Sequence, residues 1–598
     1  MKNIFFFTFC FLVLFFGCKK NIDDVVEIDP FEPPVYEINY NQVIENINSS
    51  VLGLVVDEEG NPVEGATITL NDEIIETDIY GTFRFQNTMM NKQGTFIKIE
   101  KNGYFESGRK FFPHNAETSN VKVELLEKKF DQTFQTSSGG TVEFANGGQV
   151  EFSSNSIRKE NGDPYSGEVK VALKWLNPID NKTLDQMPGA LQGVNLDGEE
   201  VALETYGMIA VELESPSGEA LNIAYDHTAE IKMPVPSSIY NNAPAEIPLW
   251  SFNYKYGVWA EDGKALLQDG FYVGEVRHFS FWNCDYPRAL VDFNLTLIDE
   301  NTMNPMVNTK VAIYQIGTGV TNFGYTNSAG QIGGQIPAFE LLELKVISSC
   351  NEILLSQNIG PLQQDVDFGE IFIDVPNSIL VKGNLLNCDG DLVNDGMLVV
   401  RVNDNLFTFQ VQNNPFEFYV PLCSNTTDVE FSGGDFESLE QSDFVILPVA
   451  DSIYLGDLVA CGQPLVNYVK ITVEGLYSTI LPISAQEHIW WSPANKWKTT
   501  LRFGDLNNIL GESMNFYFLN DEAPGDFSSI DNHQVGGISS PAIGFQTPSE
   551  FEIFTVDEFG QNIGDVISGN MSGEMLNGYN SLNINQDVQV EFKVLRDF

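Results

Sequence analysis

Histidine and cysteine are scarce in this chain, five and seven among 598 residues. The histidines, His114, His227, His278, His488 and His533, are far apart in sequence, and apart from His278, two residues before Ser280, they show no catalytic spacing. Basic residues are also few: 32 Lys and Arg stand against 83 Asp and Glu, a net charge of −51. Nucleic-acid binding needs a basic footprint, so nucleic acid is excluded as a partner. The acidity serves solubility and self-repulsion. No CxxC or Cys-His spacing supports a zinc site. There is no GxSxG, no HExxH, no P-loop and no nucleotide-binding glycine pattern, and no cofactor is expected. The many acidic residues offer too many pairs for glycosidase carboxylates to be picked out.

What the chain does contain is Phe, Tyr, Thr, Asn and Gly in quantity. That composition favours strands joined by tight turns. The length exceeds what one core supports, so several domains are expected. The fold class is all-β, a multidomain string of β-sandwiches, transthyretin-like or Ig-like.

The start reads MKNIFFFTFCFLVLFFGCKK. Its apolar run from Ile4 to Phe16 is too short for a stable transmembrane helix and suits a signal h-region. No later run is apolar enough to span a bilayer. Phe15-Phe16-Gly17-Cys18 resembles a bacterial lipobox, with Phe15 where that motif usually has Leu. The resemblance implies that residues 1–17 are removed and that Cys18 carries the lipid, palmitate included. The following KKNIDDVVEID resembles the surface-export signals of Bacteroidetes lipoproteins. Residues 18–48, with Pro30, Pro33 and Pro34, read as an acidic tether. The acyl chains would be the only anchor to the outer membrane, with the protein facing the cell exterior.

Residues 49–128 carry alternating strands around the turn Glu59-Gly60-Asn61-Pro62. The motifs GLVVDEEGNPVEGA and TDIYGTFRF resemble the carboxypeptidase regulatory-like domain, which implies a non-catalytic sandwich of about seven strands. The order recurs. NLTLIDENTMNPMVNTKVAIY with YTNSAGQIGG suggests a second sandwich at 288–374. ILVKGNLLNCDGDLVNDGMLVVRV with NNPFEFYVPLC suggests a third, degenerate copy at 375–463. Residues 464–598 form another β-domain, whose alternating end resembles terminal domains of Bacteroidetes surface lipoproteins.

Residues 129–287 differ from the repeats. Leu249-Trp250, Gly257-x-Trp259 and His278-Phe279-Ser280 resemble the central region of cartilage intermediate layer proteins. More distantly they resemble the ZU-type domains of netrin receptors and ankyrins. Those relatives imply a domain for protein contacts. Some ZU-type domains cut themselves between Phe and Ser, which would make Ser280 the nucleophile on Phe279 with His278 as helper. The competing reading is a plain strand, with Val276, His278, Ser280 and Trp282 on one face and Phe279 and Phe281 on the other. Self-cleavage would also need backbone strain.

Three other groups stand out. Cys388, Cys423 and Cys461 fall in the third sandwich and are disulfide candidates of open pairing. With Cys284 and Cys350 they make five thiols after the signal, so at least one stays unpaired. Trp490, Trp491 and Trp497 are candidates for glycan stacking or for ordinary packing. Asp389, Asp391 and Asp395 offer carboxylates for Ca²⁺, although a solvated turn explains them as well. Taken together, the sequence predicts a non-enzymatic, lipid-anchored cell-surface protein for adhesion, display or scaffolding, with a protein or glycan ligand. Its alternatives are a glycan-binding lipoprotein of a polysaccharide-uptake system and a protein self-cleaving at Phe279–Ser280.

Overall fold

In the computed structural model the described residues are Ile38, Tyr40 and Gln42–Leu595, with short interruptions at 72, 181, 317–318 and 404 and several after 465. Beyond Leu465, side chains are described only at Gln589 and Phe592–Val594. The signal segment and Cys18 lie outside the described residues. The chain is nearly all strand; among the described residues the one α-helix is the single turn Thr183–Gln186.

Three sandwiches repeat one topology. In the first, strand Asn46–Val56 pairs antiparallel with Thr82–Asn91 and parallel with Thr118–Glu124. A four-stranded sheet faces it, ordered Glu73–Glu76, Thr67–Leu70, Thr95–Glu100, Ser107–Phe111. The second sandwich places Leu290–Asp299 between Gln331–Pro337 and Val366–Ile373 with the same directions. The third places Ser378–Leu386 between Phe416–Pro421 and Ser452–Val459, again one antiparallel and one parallel. Period-two burial drives these strands: Ser378–Leu386 alternates between half-buried and buried along its whole length, as a strand with one core face must.

Turn chemistry explains why the copies share a backbone. After the central strand, Asp57, Asp299 and Asn387 each accept the N–H two residues on. The chain then bridges back at Val56–Pro62, Ile298–Pro305 and Leu386–Leu392. Gly81 and Gly330 occupy matching positions with φ of +71° and +74°, and a Cβ there would meet the carbonyls of Val55 and Leu297 at 2.3 and 2.6 Å. Only glycine fits that approach. Their carbonyls accept from Val55 and Leu297 N–H, both at 2.8 Å. The third copy lacks this glycine. There the Asn414 side chain accepts from Leu385 N–H at 3.0 Å and returns bonds to Leu385 and Val393 carbonyls. The degenerate repeat keeps the closure by moving the acceptor from backbone to side chain.

Between the first and second sandwiches in sequence lies a thirteen-stranded assembly from Phe130 to Arg288. Its largest cluster includes Val150, Ile231, Leu249, Tyr272, Trp282 and Cys284. A second cluster on its other side holds Trp250, Trp259 and Phe281 and takes in Phe105 and Leu126 of the first sandwich. A nine-stranded sheet spans Tyr468 to Leu595.

The middle assembly separates the first sandwich from the other two in sequence, yet the first sandwich touches each of the next three units. Along Asn46–Val56, Val51 and Val55 face its own core. Leu52, Leu54 and Val56 pack against Met397, Val399 and Leu406 of the third sandwich. Around that contact, Tyr80 hydroxyl donates to Ser442 carbonyl at 2.9 Å and Arg84 pairs with Asp395 at 2.7 Å. Towards the second sandwich, Thr118 N–H donates to Ser328 Oγ and Asn120 to the Thr326 carbonyl.

Two disulfides complete the frame. Cys388–Cys461 staples the third sandwich, and Cys350–Cys423 joins the second to the third. Cys350 thus takes the partner that sequence alone placed among the three cysteines of one module. Each bridge closes a separation of 73 residues. In the chain-entropy picture a loop of that size is worth about 4 kcal/mol. The Cys388→Ser/Cys461→Ser pair should lower the denaturant stability of the third sandwich by about that much. The Cys350→Ser/Cys423→Ser pair should instead loosen the junction, read as increased hydrogen exchange on both sides of it.

Candidate functional site

The HFS segment is not a continuous strand. Strands Phe271–Val276 and Phe281–Arg288 are separated by a bend at Arg277–Ser280. The bend changes which side chains share a face. Phe279 joins Val276, Trp282 and Cys284 in one cluster, while Phe281 belongs to the cluster on the other side. The expected grouping of Phe279 with Phe281 is therefore corrected: a four-residue break displaces the alternation that an unbroken strand would impose.

The polar contacts of the bend bind it to its surroundings. Phe279 N–H donates to Asn222 Oδ1 at 2.9 Å, and Trp282 Nε1 donates to the His278 carbonyl at 2.8 Å. Ser280 Oγ donates to the Phe281 carbonyl at 3.2 Å, while its own carbonyl accepts from Val211 N–H. The His278 ring lies 5.0 Å from the Trp282 ring and its Nε2 is 3.6 Å from Asp262. Burial pushes the Asp262 carboxyl up, but hydrogen bonds and charge from His278 and Arg277 outweigh it and hold the group below its ordinary value. His278 is thus engaged with a carboxylate, and the Ser280 hydroxyl with a neighbouring carbonyl. None of residues 277–280 has a positive φ, and the Phe279–Ser280 peptide is trans.

The acidic loop is divided. Asn387 Oδ1 accepts from the N–H groups of Asp389 and Asp391 at 3.0 and 2.9 Å, which makes the Asp389–Asp391 stretch a side-chain-capped turn. Asp395 turns away to Arg84, whose side chain is only 5% exposed. It is a bridge between sandwiches and not a third ligand beside Asp389 and Asp391. Cys388, Cys461 and Glu440 converge closely enough to hold a metal, but the two sulfurs are consumed by their disulfide. Glu440 bonds Lys593 at 2.6 Å. Cys284 is the unpaired thiol among the described residues. Burial pushes it well above the ordinary thiol range, so it has no thiolate character.

The backbone register makes Trp490 the cross-strand partner of Trp497, and Trp491 that of Lys496, on strands Tyr477–Trp491 and Lys496–Gly504. The side chains of Trp490, Trp491 and Trp497 lie outside the described residues.

Sequence reasoning missed two clusters, because both are assembled from distant segments. Glu204, 3% exposed, accepts from Arg288 Nε and a terminal nitrogen at 3.0 and 2.8 Å, from Gln315 at 3.1 Å and from Tyr206 at 2.7 Å. Three of these bonds converge on Oε2 and one on Oε1, and together they tie the middle domain to the second sandwich. The other cluster lines a cleft of about 640 Å³ among the three sandwiches, where Lys122, Lys182, Lys310 and Lys345 meet Tyr314 and Phe407. Lys310 bonds both Asp185 oxygens at 2.8 Å, and the Lys345 ammonium lies 4.0 Å from the Tyr314 ring centre. The four lysines share the cleft with Glu59, Glu124 and Asp185, and Lys182 and Lys310 pair with the last two. Only folding brings these charges together.

The contacts of the bend give a direct expectation. Purified ectodomain should run as one intact band on a denaturing gel, and Ser280→Ala should leave the pattern unchanged. Two fragments meeting after Phe279, lost in Ser280→Ala, would contradict this geometry.

No protein-family model matches the chain. Over 259 residues it is 26% identical to human cartilage intermediate layer protein 2, covering 39% of this chain and 22% of that protein. Over 152 residues it is 29% identical to pig cartilage intermediate layer protein 1, covering 23% of this chain and 24% of that protein. The chain thus spans under a quarter of the length of these curated relatives. Among solved structures, the Bacillus anthracis TIE protein aligns with a TM-score of 0.15 at 7% identity, over 70% of this chain and 51% of that one. A shaft pilin, SpaA of Lactobacillus rhamnosus GG, aligns at 0.16 and 9% identity, over 29% of this chain and 98% of that one. Scores this low carry no functional argument. The chain is an all-β, multi-sandwich protein with weak similarity to cartilage intermediate layer proteins.

Proposed function

We propose that this chain is a non-enzymatic, lipid-anchored surface protein of a Bacteroidetes-type bacterium. It is tethered at the outer membrane through acylated Cys18, faces the exterior, and works in adhesion, display or scaffolding. The observation that carries this reading is the interlocking of the sandwiches. The first sandwich contributes both faces of its central strand to cores, and a disulfide crosses the next junction. Such a body holds a binding surface at a fixed distance from its anchor, and the extra covalent tie suits an oxidising exterior. The weak similarity to proteins named for the cartilage intermediate layer supports the same reading. A second reading, a glycan-binding lipoprotein of a polysaccharide-uptake system, draws on the tryptophans at 490, 491 and 497, of which Trp490 and Trp497 are register partners, since indole is a residue type suited to sugar stacking.

Three results are expected. Palmitate label should enter the wild-type protein and be lost in Cys18→Ala. External protease added to intact cells should degrade the ectodomain; protection would contradict the surface assignment. On a glycan array, the soluble ectodomain should show no Trp490- and Trp491-dependent binding under the scaffold reading. Binding lost in Trp490→Ala and Trp491→Ala would favour the second.

A further inference from the structure

Strand Ile353–Ile359 ends the four-stranded sheet of the second sandwich, after Gly319–Tyr325, Lys310–Gln315 and Leu342–Ile347. It pairs antiparallel with Leu342–Ile347 on its inner side. Among the described residues no strand pairs with its outer side. Ser356, Gln357 and Asn358 are exposed, and Ile353 is 57% exposed. An open edge of this kind is a row of backbone donors and acceptors that can template another strand.

The sequence of the strand, ILLSQNI, contains no charge, glycine or proline. Every other edge strand of the three sandwiches contains at least one of these, with a single exception. That exception, Asn405–Val411, is covered by the first sandwich: Leu406 packs with Leu52 and Leu54, and Gln410 accepts from the Thr118 hydroxyl at 2.7 Å. The contrast is sharpest at Val366–Ile373 and Ser452–Val459, the outer strands of the two later three-stranded sheets. There Gly369 and Gly456 take φ of +66° and +68°, and the pairing register shifts beside each. Exposed Asp367, Glu370 and Asp457 add charge along the same strands. Bulges and charges of this sort stop an edge from pairing. Ile353–Ile359 has neither a glycine bulge nor a charge.

We propose that this edge is a self-association site. Two copies of the chain pair their Ile353–Ile359 strands antiparallel about a two-fold axis, which joins two four-stranded sheets into one of eight strands. Charge selects this occupant. Two bodies of net charge −51 repel each other, so the strand they share must not set like charges face to face. Paired about its midpoint, Ser356, the strand places Ile353 opposite Ile359, Leu354 opposite Asn358 and Leu355 opposite Gln357, and no charges meet. The same operation on Val366–Ile373 or Ser452–Val459 would set acidic strands side by side. Seven residues a side is well below the roughly 20–30 of a stable interface, so the pair is weak and forms as concentration rises.

The test is sedimentation equilibrium of the intact ectodomain from micromolar to millimolar concentration at physiological ionic strength. The wild type should pass from the mass of one chain to that of two, and hydrogen exchange in 353–359 should slow in step. Lowering the ionic strength should weaken the dimer, because the repulsion between acidic bodies is then less screened. Ser356 is exposed, so Ser356→Lys and Ser356→Glu should keep the circular dichroism of the wild type. Each sets like charges opposite each other at the two-fold, so both should abolish the dimer. A wild type that stays monomeric, including one that binds only a different protein through this edge, would overturn the proposal. A dimer that survives either variant, or that strengthens at low salt, would overturn it as well.

Discussion

From Ser49 to Val56, strand Asn46–Val56 has no solvent face, and the architecture of residues 42–465 depends on that. Eight consecutive residues from Ser49 to Val56 are buried, where an edge-exposed sandwich would alternate. Val51 and Val55 serve the first sandwich, Gly53 admits the Phe83 ring that lies across it, and Leu52, Leu54 and Val56 serve the contact with the third. Fully burying each of those three side chains is worth ~1.5–3 kcal/mol, an upper bound of roughly 5–9 kcal/mol together. That is comparable to the net stability of a whole domain. The ion pair Arg84–Asp395 at its rim adds specificity of register more than energy: Asp395 remains 24% exposed, which screens the attraction.

From this contact the remaining geometry follows. Once the first and third sandwiches are joined, the second is held between them in sequence and is fixed by Cys350–Cys423. The docking of the first sandwich on the middle domain brings Arg109 against Leu184 and Gly189. A surface scaffold gains from such coupling, because load applied at one module is shared through cores and covalent ties instead of being taken by a linker.

The sequence was informative where local chemistry decides structure. The D-x-x-G turns, the recurrent T-D-x-x-G or T-N-S-A-G loops and period-two apolar runs specify sandwiches without any knowledge of their packing. In the third copy, which lacks that glycine, Asn414 supplies the acceptor that Gly81 and Gly330 provide elsewhere, a substitution visible only in the structure. Reading failed where distant segments meet. VRHFSFWN alternates well enough to pass for one strand, and only the bend at Arg277–Ser280, held by Asn222 and Asp262, separates Phe279 from Phe281. Nothing near Cys350 marks it as the partner of Cys423. Leu52, Leu54 and Val56 look like ordinary outward residues of a β-branched-rich strand, and the lysines of the cleft come from four separate segments.

The account stands or falls on the outward face of that first strand being a core. Leu54→Lys in the intact ectodomain puts an ammonium into the contact with Met397, Val399 and Leu406. Hydrogen exchange read peptide by peptide should then rise together in Asn46–Val56 of the first sandwich and in Gly396–Val402 of the third. Exchange that rises in the first strand alone, or in neither, would contradict the claim that these sandwiches fold as one interlocked body.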